Sequence, residues 1–159
     1  MKKFAGLLVA LSMLCLAACG PDYAYHQVQK IPNDGQWRYT DTLNFNFTIT
    51  DTVSHYNFYL DFEHSDTFPF QNVYLKLYTR FPDGHRLTKL RSFDFFDAQG
   101  EALGKCSGHQ CSRRSVLQEN AYFKEPGAYV LTVEQNSRLD PLLSLQSVGL
   151  VLEKSPPPK

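Results

Sequence analysis

The sequence predicts an all-β protein: an antiparallel β-sandwich of the jelly-roll or immunoglobulin-like kind, with roughly seven to nine strands, behind a cleaved lipoprotein signal peptide. Three observations lead to this prediction. Apolar and polar residues alternate with a period of two along much of the chain. Turn-forming residues interrupt that alternation at short intervals. Aromatic residues make up 14% of the chain and long charged helical runs are missing, a composition that favours strands.

The beginning of the chain has the pattern of a secretory signal that ends in a lipidation site. Lys2 and Lys3 form a positive start, and Phe4–Leu14 is an apolar stretch too short to span a bilayer. Leu16-Ala17-Ala18-Cys19 then resembles a bacterial lipobox, in which small residues precede the cysteine that is lipidated. We therefore expect cleavage after Ala18 and a diacylglycerol on Cys19. Attachment by about two or three acyl chains is stable.

The rest of the chain suits one domain. Residues 19–22 are expected to form a lipidated leader, and residues 23–154 the β-sandwich. Residues 155–159 form a proline-rich tail that cannot join a strand ladder. No second apolar stretch approaches transmembrane length, so the lipid is the predicted membrane anchor.

The strands are predicted from the alternation itself. Leu43, Phe45, Phe47 and Ile49 alternate with Asn and Thr residues, as a half-buried strand requires. The same pattern recurs in segments 56–62, 73–78, 91–97, 101–105, 129–134 and 148–152. Turns are expected at Phe81–Gly84, Asp97–Gly100 and Glu125–Gly127. Residues 113–123 fit either a strand or a helical turn, and residues 138–145 show no regular pattern.

The charge balance argues against several classes of partner. The chain has 16 basic and 16 acidic residues, and Lys2 and Lys3 leave with the signal, so the mature chain is slightly acidic. Nothing in that balance supports nucleic-acid binding or a polybasic membrane patch.

Two cysteines remain for the folded domain, because Cys15 is removed with the signal and Cys19 is consumed by lipid. Cys106 and Cys111 are an even pair in an oxidising compartment, which favours a disulfide across a short loop. The alternative is a metal site that adds His109. A structural zinc needs about four ligands, and no second Cys/His cluster is evident, so we expect the disulfide and no metal.

Enzyme motifs are absent from the sequence: there is no phosphate loop, nucleophile elbow or zinc-protease helix. Asp61 and Glu63 share one predicted strand face, and Asp94 lies on another strand. Paired carboxylates can hydrolyse glycosides, but acids that point outward from strands are normally solvated. We therefore predict no catalytic residues, no cofactor and no small-molecule substrate.

Three tyrosines are the strongest candidates for a binding surface. The alternation points Tyr59, Tyr74 and Tyr78 away from the core, with Tyr74 and Tyr78 on the same face. Exposed aromatic residues on a sheet can anchor a partner protein or stack on sugars. The same residues could equally form a second buried layer or cross-strand pairs, and the sequence leaves both interpretations open.

With these segments placed, the chain resembles the gliding-motility lipoprotein H family (GldH) of Bacteroidota. The resemblance spans about residues 20–154, with the lipobox in the expected place. The order and spacing of several short motifs carry it: Phe70–Leu75, Phe81–Gly84, Phe93–Gly100, Leu103–Lys105, Gly127–Tyr129, Glu134-Gln135 with Arg138, Val148–Leu150 and Glu153-Lys154. It implies a role in gliding and in the envelope machinery linked to type IX secretion, and it brings no known catalytic residues.

Two short sequence matches concern covalent modification. Asp41-Thr42-Leu43 and Asp51-Thr52-Val53 fit the Asp-Thr-aliphatic acceptor for extracytoplasmic O-glycosylation in Bacteroidota. Each lies near the edge of a predicted strand, where a modifying enzyme could reach it. Thr42 and Thr52 are therefore candidate glycosylation sites.

These observations favour a non-enzymatic, lipid-anchored scaffold or accessory component of the gliding and secretion apparatus, with other envelope proteins as partners. The alternative is a glycan-binding lipoprotein that uses Tyr74 and Tyr78; a glycosidase-like enzyme is a remote third hypothesis. Gly20 is not the aspartate that retains lipoproteins in the inner membrane of enterobacteria. We therefore expect an outer-membrane lipoprotein on the periplasmic face.

Overall fold

The computed structural model describes residues 23–155, apart from the side chains of residues 33 and 34. The predicted signal peptide, Cys19 with its leader, and residues 156–159 of the tail lie outside the described residues. The one helix of the described part is a single turn, too short to cross a membrane.

Nine antiparallel strands form two sheets that pack face to face. The elements are β1 (Tyr23–Lys30), α1 (Pro32–Gly35), β2 (Thr42–Ile49), β3 (Tyr56–Ser65), β4 (Asn72–Arg80), β5 (Arg86–Asp94), β6 (Lys105–Ser107), β7 (Gln110–Ala121), β8 (Gly127–Gln135) and β9 (Leu145–Lys154). One sheet has the order β1-β9-β3-β7-β6 and the other β2-β8-β4-β5. This confirms the predicted β-sandwich.

The core lies between the sheets and follows the alternation of each strand. On β2, Leu43, Phe45, Phe47 and Ile49 are buried, whereas the Asn and Thr residues between them are exposed. Strand β9, which lies between β1 and β3, is buried on both faces: Val151 is fully buried although it points away from the core. The hydrophobic effect of this inter-sheet layer is the main stabilising contribution to the fold.

Three segments differ from their predictions. Strand β1 was not predicted: it is an edge strand, and its inward residues include Gln27 and Gln29, so no apolar alternation marks it. Strand β5 begins at Arg86 rather than at residue 91. The prediction began too late because the charged Lys89 lies on the inward face and breaks the apolar alternation. The strand predicted over 101–105 is instead a bridge at Ala102 followed by the short β6.

The segment that the sequence left undecided is a strand. Residues 113–123 belong largely to β7, which pairs with β3 along its length. Asn120, near its end, has a positive φ of 50°, and the register shifts between Phe58 and its neighbours on β3. These irregularities interrupt the period of two and explain why the alternation of this segment was weak.

The strand register shows which loops lie at each end of the sandwich. Tyr23 pairs with Glu153, and Tyr56 pairs with both Lys154 and Ala121, so β1 begins at the end formed by loops 50–55, 81–85 and 122–126. Residues 31–41, 66–71, 95–104 and 136–144 form the other end. Tyr23, the first described residue, therefore lies at the first of these ends.

Buried hydrogen bonds stabilise the end of the sandwich that is opposite to the start of β1. Trp37 is fully buried, and its backbone N–H and C=O both bond to Leu142. Gln135, also buried, donates to the carbonyl oxygen of Leu139 at 3.2 Å and accepts from the N–H of Ser137 at 2.9 Å. These bonds fix the irregular segment 136–144 against residues 37–41.

A buried histidine makes the stability depend on pH. His64 is 1% exposed and its ring stacks on Phe95, with centroids 4.6 Å apart. Burial lowers the pKa of its imidazole below the ordinary value of 6.5, although the bond to the Ser65 carbonyl acts in the opposite direction. The folded state therefore binds the proton more weakly than the unfolded state.

The stabilisation that depends on a neutral His64 is complete above about pH 6.5. As the pH falls below that value, the free energy of unfolding decreases by up to about 1.4 kcal/mol per pH unit. We expect urea midpoints of the wild type to fall between about pH 7 and pH 5, and those of His64→Phe to fall much less. His26→Gln, at an exposed histidine, is the control and should behave as the wild type. Parallel pH profiles for all three proteins would contradict the assignment to His64.

Candidate functional site

Tyr74 and Tyr78 lie on the outer surface of the four-stranded sheet. Val73, Leu75 and Leu77, which alternate with them on β4, are buried in the core. Tyr74 is 37% exposed and Tyr78 is half-buried. The structure therefore places neither tyrosine in a second buried core layer.

An exposed leucine continues this apolar surface onto the edge strand. Leu90 pairs with Lys76 on β4, between the positions opposite Tyr74 and Tyr78, and is 58% exposed. We call the outer surface formed by Tyr74, Tyr78 and Leu90 the tyrosine face. Large apolar side chains grouped in this way, with polar residues around them, are typical of a protein-docking surface.

Three cations lie beside Tyr78 on the tyrosine face. The Nζ of Lys76 lies 5.1 Å from the centre of the Tyr78 ring, and its interaction with the Tyr78 side chain raises the pKa of the lysine. Arg80 and Arg86 are directly opposite each other in the β4–β5 pair. Together with Tyr78 and Glu134 they line a depression of about 300 Å³. The surface is thus aromatic in the middle and basic along one side.

Tyr59 belongs to a different surface. It lies on the outer face of the five-stranded sheet, where Arg114 on β7 is the centre of an ion-pair cluster. The Nε and Nη2 atoms of Arg114 each donate to Asp61 at 2.8 Å, and Nη1 donates to Glu153 at 2.8 Å. The guanidinium carbon lies 5.3 Å from the Tyr59 ring centre and 5.8 Å from that of Tyr23.

The bonds to Asp61 raise the pKa of the Arg114 guanidinium, which stays charged. Bidentate contact and ring stacking are the geometry that arginine suits best. Tyr59 is therefore part of a cluster that joins β1, β3, β7 and β9. The three candidate tyrosines do not form one surface, because Tyr59 faces the opposite side of the sandwich from Tyr74 and Tyr78.

A groove of about 750 Å³ runs beside this cluster. Gly104 lines it where the chain passes directly over β7: a Cβ there would lie 2.2 Å from the carbonyl oxygen of Ser112. The two acids of the groove are engaged within the protein, Asp61 by Arg114 and Glu63 by the hydroxyl of Ser147 at 2.9 Å. Both carboxylates therefore make structural contacts between neighbouring strands, Asp61 from β3 to β7 and Glu63 from β3 to β9.

The cysteine pair lies in the β6–β7 hairpin. Cys106 and Cys111 are joined by a disulfide, and Cys111 is buried. His109 lies in the connecting turn, where its Nδ1 is 2.9 Å from a carboxylate oxygen of Asp66. Within the described residues, no group of three or more His, Cys, Asp and Glu side chains could hold a metal ion.

The two candidate glycosylation sites have different surroundings. Thr42 is exposed at the start of β2, and its hydroxyl accepts from the Asn44 amide at 3.3 Å. Thr52 is half-buried in the β2–β3 loop, next to Asp51, whose carboxylate binds Ser54 and Lys154. Their modification stays a prediction, as does lipidation of Cys19.

Leu90, Arg80 and Arg86 were not singled out from the sequence. A signal was present in the sequence. Phe93 faces the core, so the alternation counted backward from it places Leu90 on the outer face, beside Lys76. The inward-facing charges of β5 concealed that signal, because charged residues on both faces of a strand are typical of a loop.

Comparisons with known proteins agree with this lipoprotein pattern. The model of the GldH lipoprotein family matches residues 23–152. The chain is 21% identical over 161 residues to the "gliding motility lipoprotein GldH homolog" of Christiangramia forsetii, a match that covers 97% of this chain and 98% of that protein. Neither name is that of an enzyme.

Two chains from structures of infectious bursal disease virus are also similar. That of the Gx strain is 13% identical with a TM-score of 0.34, and covers 83% of this chain and 30% of the viral one. That of the Gt strain is 15% identical with a TM-score of 0.19, and covers 86% and 40%. Likenesses this weak carry no inference. The family match, by contrast, extends over most of the sandwich, and the chain belongs to the GldH lipoprotein family.

Proposed function

We propose that this protein is a lipid-anchored component of the gliding-motility and type IX secretion machinery that acts without catalysis, by docking another envelope protein. Its family and the name of its Christiangramia relative support the association with motility. The observation that carries the docking role is the tyrosine face, with Tyr74 and Leu90 exposed beside Tyr78. We place the lipid in the outer membrane, with the domain on the periplasmic side.

The anchor strengthens a weak contact. A lipid on Cys19 confines the domain to the membrane plane, so a partner in the same membrane is present at a high effective concentration. A modest docking surface is then sufficient, and the surface can consist of a few aromatic and aliphatic anchors.

The glycan-binding alternative has less support from the geometry. A sugar-stacking tyrosine needs an open ring face, and one face of Tyr78 is engaged by the Lys76 ammonium. A protein partner does not have this requirement, because it can pack against the ring edge and against Leu90.

Replacing Tyr74 and Tyr78 with alanine tests the docking role. The double variant should reach the membrane at normal abundance, because both side chains lie outside the core. Loss of two anchors at about 2 kcal/mol each would reduce capture of the cross-linked envelope partner by far more than tenfold. Abundance is measured by immunoblot, and capture by mass spectrometry after cross-linking.

Val116→Ala is the control, since Val116 is 48% exposed but lies on the outer surface of the five-stranded sheet, on the opposite side of the sandwich. Its capture of the partner should equal that of the wild type. Unchanged capture by the double variant would refute the docking role. A sugar array that binds the wild type but not the double variant, with no captured protein, would support the glycan-binding lipoprotein instead.

A further inference from the structure

Strand β5 has an open edge. It pairs with β4 over nine positions, and within residues 23–155 no strand lies on its other side. Beyond the two ends of this pair, the N–H of Phe95 donates to Gln71 and that of Phe81 donates to His85. In an antiparallel pair, bonded and non-bonded positions alternate. The backbone groups of Thr88, Leu90 and Ser92 therefore point to the open edge.

The sandwich is also incompletely closed along this edge. Leu87 and Lys89, on the inward face of β5, line the mouth of a cavity of about 240 Å³ between the sheets. Its lining is mainly apolar, and Leu87 remains 43% exposed. Arg91 crosses the gap and donates to the Leu117 carbonyl oxygen at 3.0 Å. A further strand beside β5 would cover the apolar mouth.

The charge of the edge indicates which strand fits there. Strand β5 carries Arg86, Lys89 and Arg91 against Asp94, and Arg80 faces Arg86 across the pair. Like charges directly opposite one another destabilise a sheet. A neighbouring strand with carboxylates would relieve that repulsion, whereas a second copy of β5 would add to it. Lysine and inward charges on an edge are the usual protection against self-pairing.

We propose that the open edge of β5 accepts an extended acidic segment of another envelope protein by strand addition. This inference rests on the proposed function, because that segment belongs to the docked partner. The backbone groups of Thr88, Leu90 and Ser92 provide the hydrogen bonds. Apolar residues of the segment cover the cavity mouth beside Leu87, and its carboxylates lie near Arg86. The tyrosine face adjoins this edge, so one partner can contact both.

A synthetic peptide tests the edge directly. The full-length lipidated protein in detergent is titrated with a fluorescent peptide as long as β5 that alternates glutamate and valine. The control peptide has lysine in place of glutamate. We expect the acidic peptide to bind and to slow hydrogen exchange at Thr88, Leu90 and Ser92. The lysine peptide should not bind. Raising the salt from about 0.05 to 0.5 M should lower the affinity of the acidic peptide at least tenfold.

Two variants locate the binding. Thr88→Pro removes an N–H that points to the open edge and leaves the ladder to β4 intact. It should therefore keep the fold and lower the affinity of the acidic peptide at least tenfold. Lys89→Pro is its matched control: it removes a ladder hydrogen bond and should lower the melting temperature. The charge reversal Arg86→Glu with Lys89→Glu keeps the backbone and should reverse the preference, so that the lysine peptide binds instead.

The inference is overturned if both peptides bind equally, if protection from exchange appears on another strand, or if sedimentation shows a dimer that the peptide does not dissociate. Capture of the envelope partner separates this failure from failure of the proposed function. If the charge reversal captures the partner normally while Tyr74→Ala with Tyr78→Ala does not, docking stands and the edge is wrong. If neither variant changes capture, both are wrong.

Discussion

Phe47→Asp is expected to unfold the domain, whereas Asn46→Asp is expected to be nearly silent. Phe47 is 6% exposed and stacks on Tyr129, with ring centres 5.6 Å apart and planes at 11°. The rings of Tyr25, Phe58 and Phe123 also contact it, at 5.5, 6.3 and 6.2 Å between centres. An aspartate at this position would have no partner among these rings.

Burial of an unpaired carboxylate costs several kcal/mol, and loss of a core phenylalanine costs about 3–5 kcal/mol more. Together these approach the whole stability of a small domain, about 5–15 kcal/mol. Asn46, its neighbour, is exposed on the outer face of β2. Circular dichroism melts of the two variants measure the difference, and similar melting temperatures would refute the assigned strand faces.

Cys19→Ala is expected to abolish membrane attachment without affecting the fold. The predicted anchor depends on one thioether at Cys19, whereas the sandwich begins at Tyr23. The variant should leave the membrane fraction almost completely and retain the melting temperature of the wild type. Flotation after a high-salt wash measures the attachment.

Ser107→Ala, in the β6–β7 hairpin, should float with the membrane as the wild type does. If the Cys19 variant also floats after the wash, Cys19 is not the anchor and lipidation at this position is wrong. Loss of both flotation and cooperative melting would mean that the leader contributes to the fold.

The sequence was sufficient where local pattern decides the structure. The faces of β2 follow directly from Leu43, Phe45, Phe47 and Ile49, because a half-buried strand alternates with a period of two. The same rule correctly pointed Tyr74 and Tyr78 outward. It failed on β5, since its inward charges lie at an open edge where water still reaches them.

Other features depend on contacts that no local pattern contains. Alternation shows that Tyr59 points outward, but not from which sheet, so its separation from Tyr74 could not be predicted. Arg114 contacts Asp61 and Glu153 across 53 and 39 residues of sequence. Such pairs depend on which strands are neighbours in the sheet. The alternation within each strand does not determine that order.

The position of Tyr23, at the start of the edge strand β1, has a mechanical consequence. A pull on the chain before Tyr23, directed along β1, would act on a strand that pairs with β9 at seven positions from Tyr23 to Lys30. Ladder hydrogen bonds lie perpendicular to the strands, so such a load is shared by the whole ladder rather than opening it one bond at a time. A partner held at β5 would load the opposite edge, and the force would cross the packed core between them. Under the two proposals above, the domain would transmit tension between its membrane anchor and the docked partner.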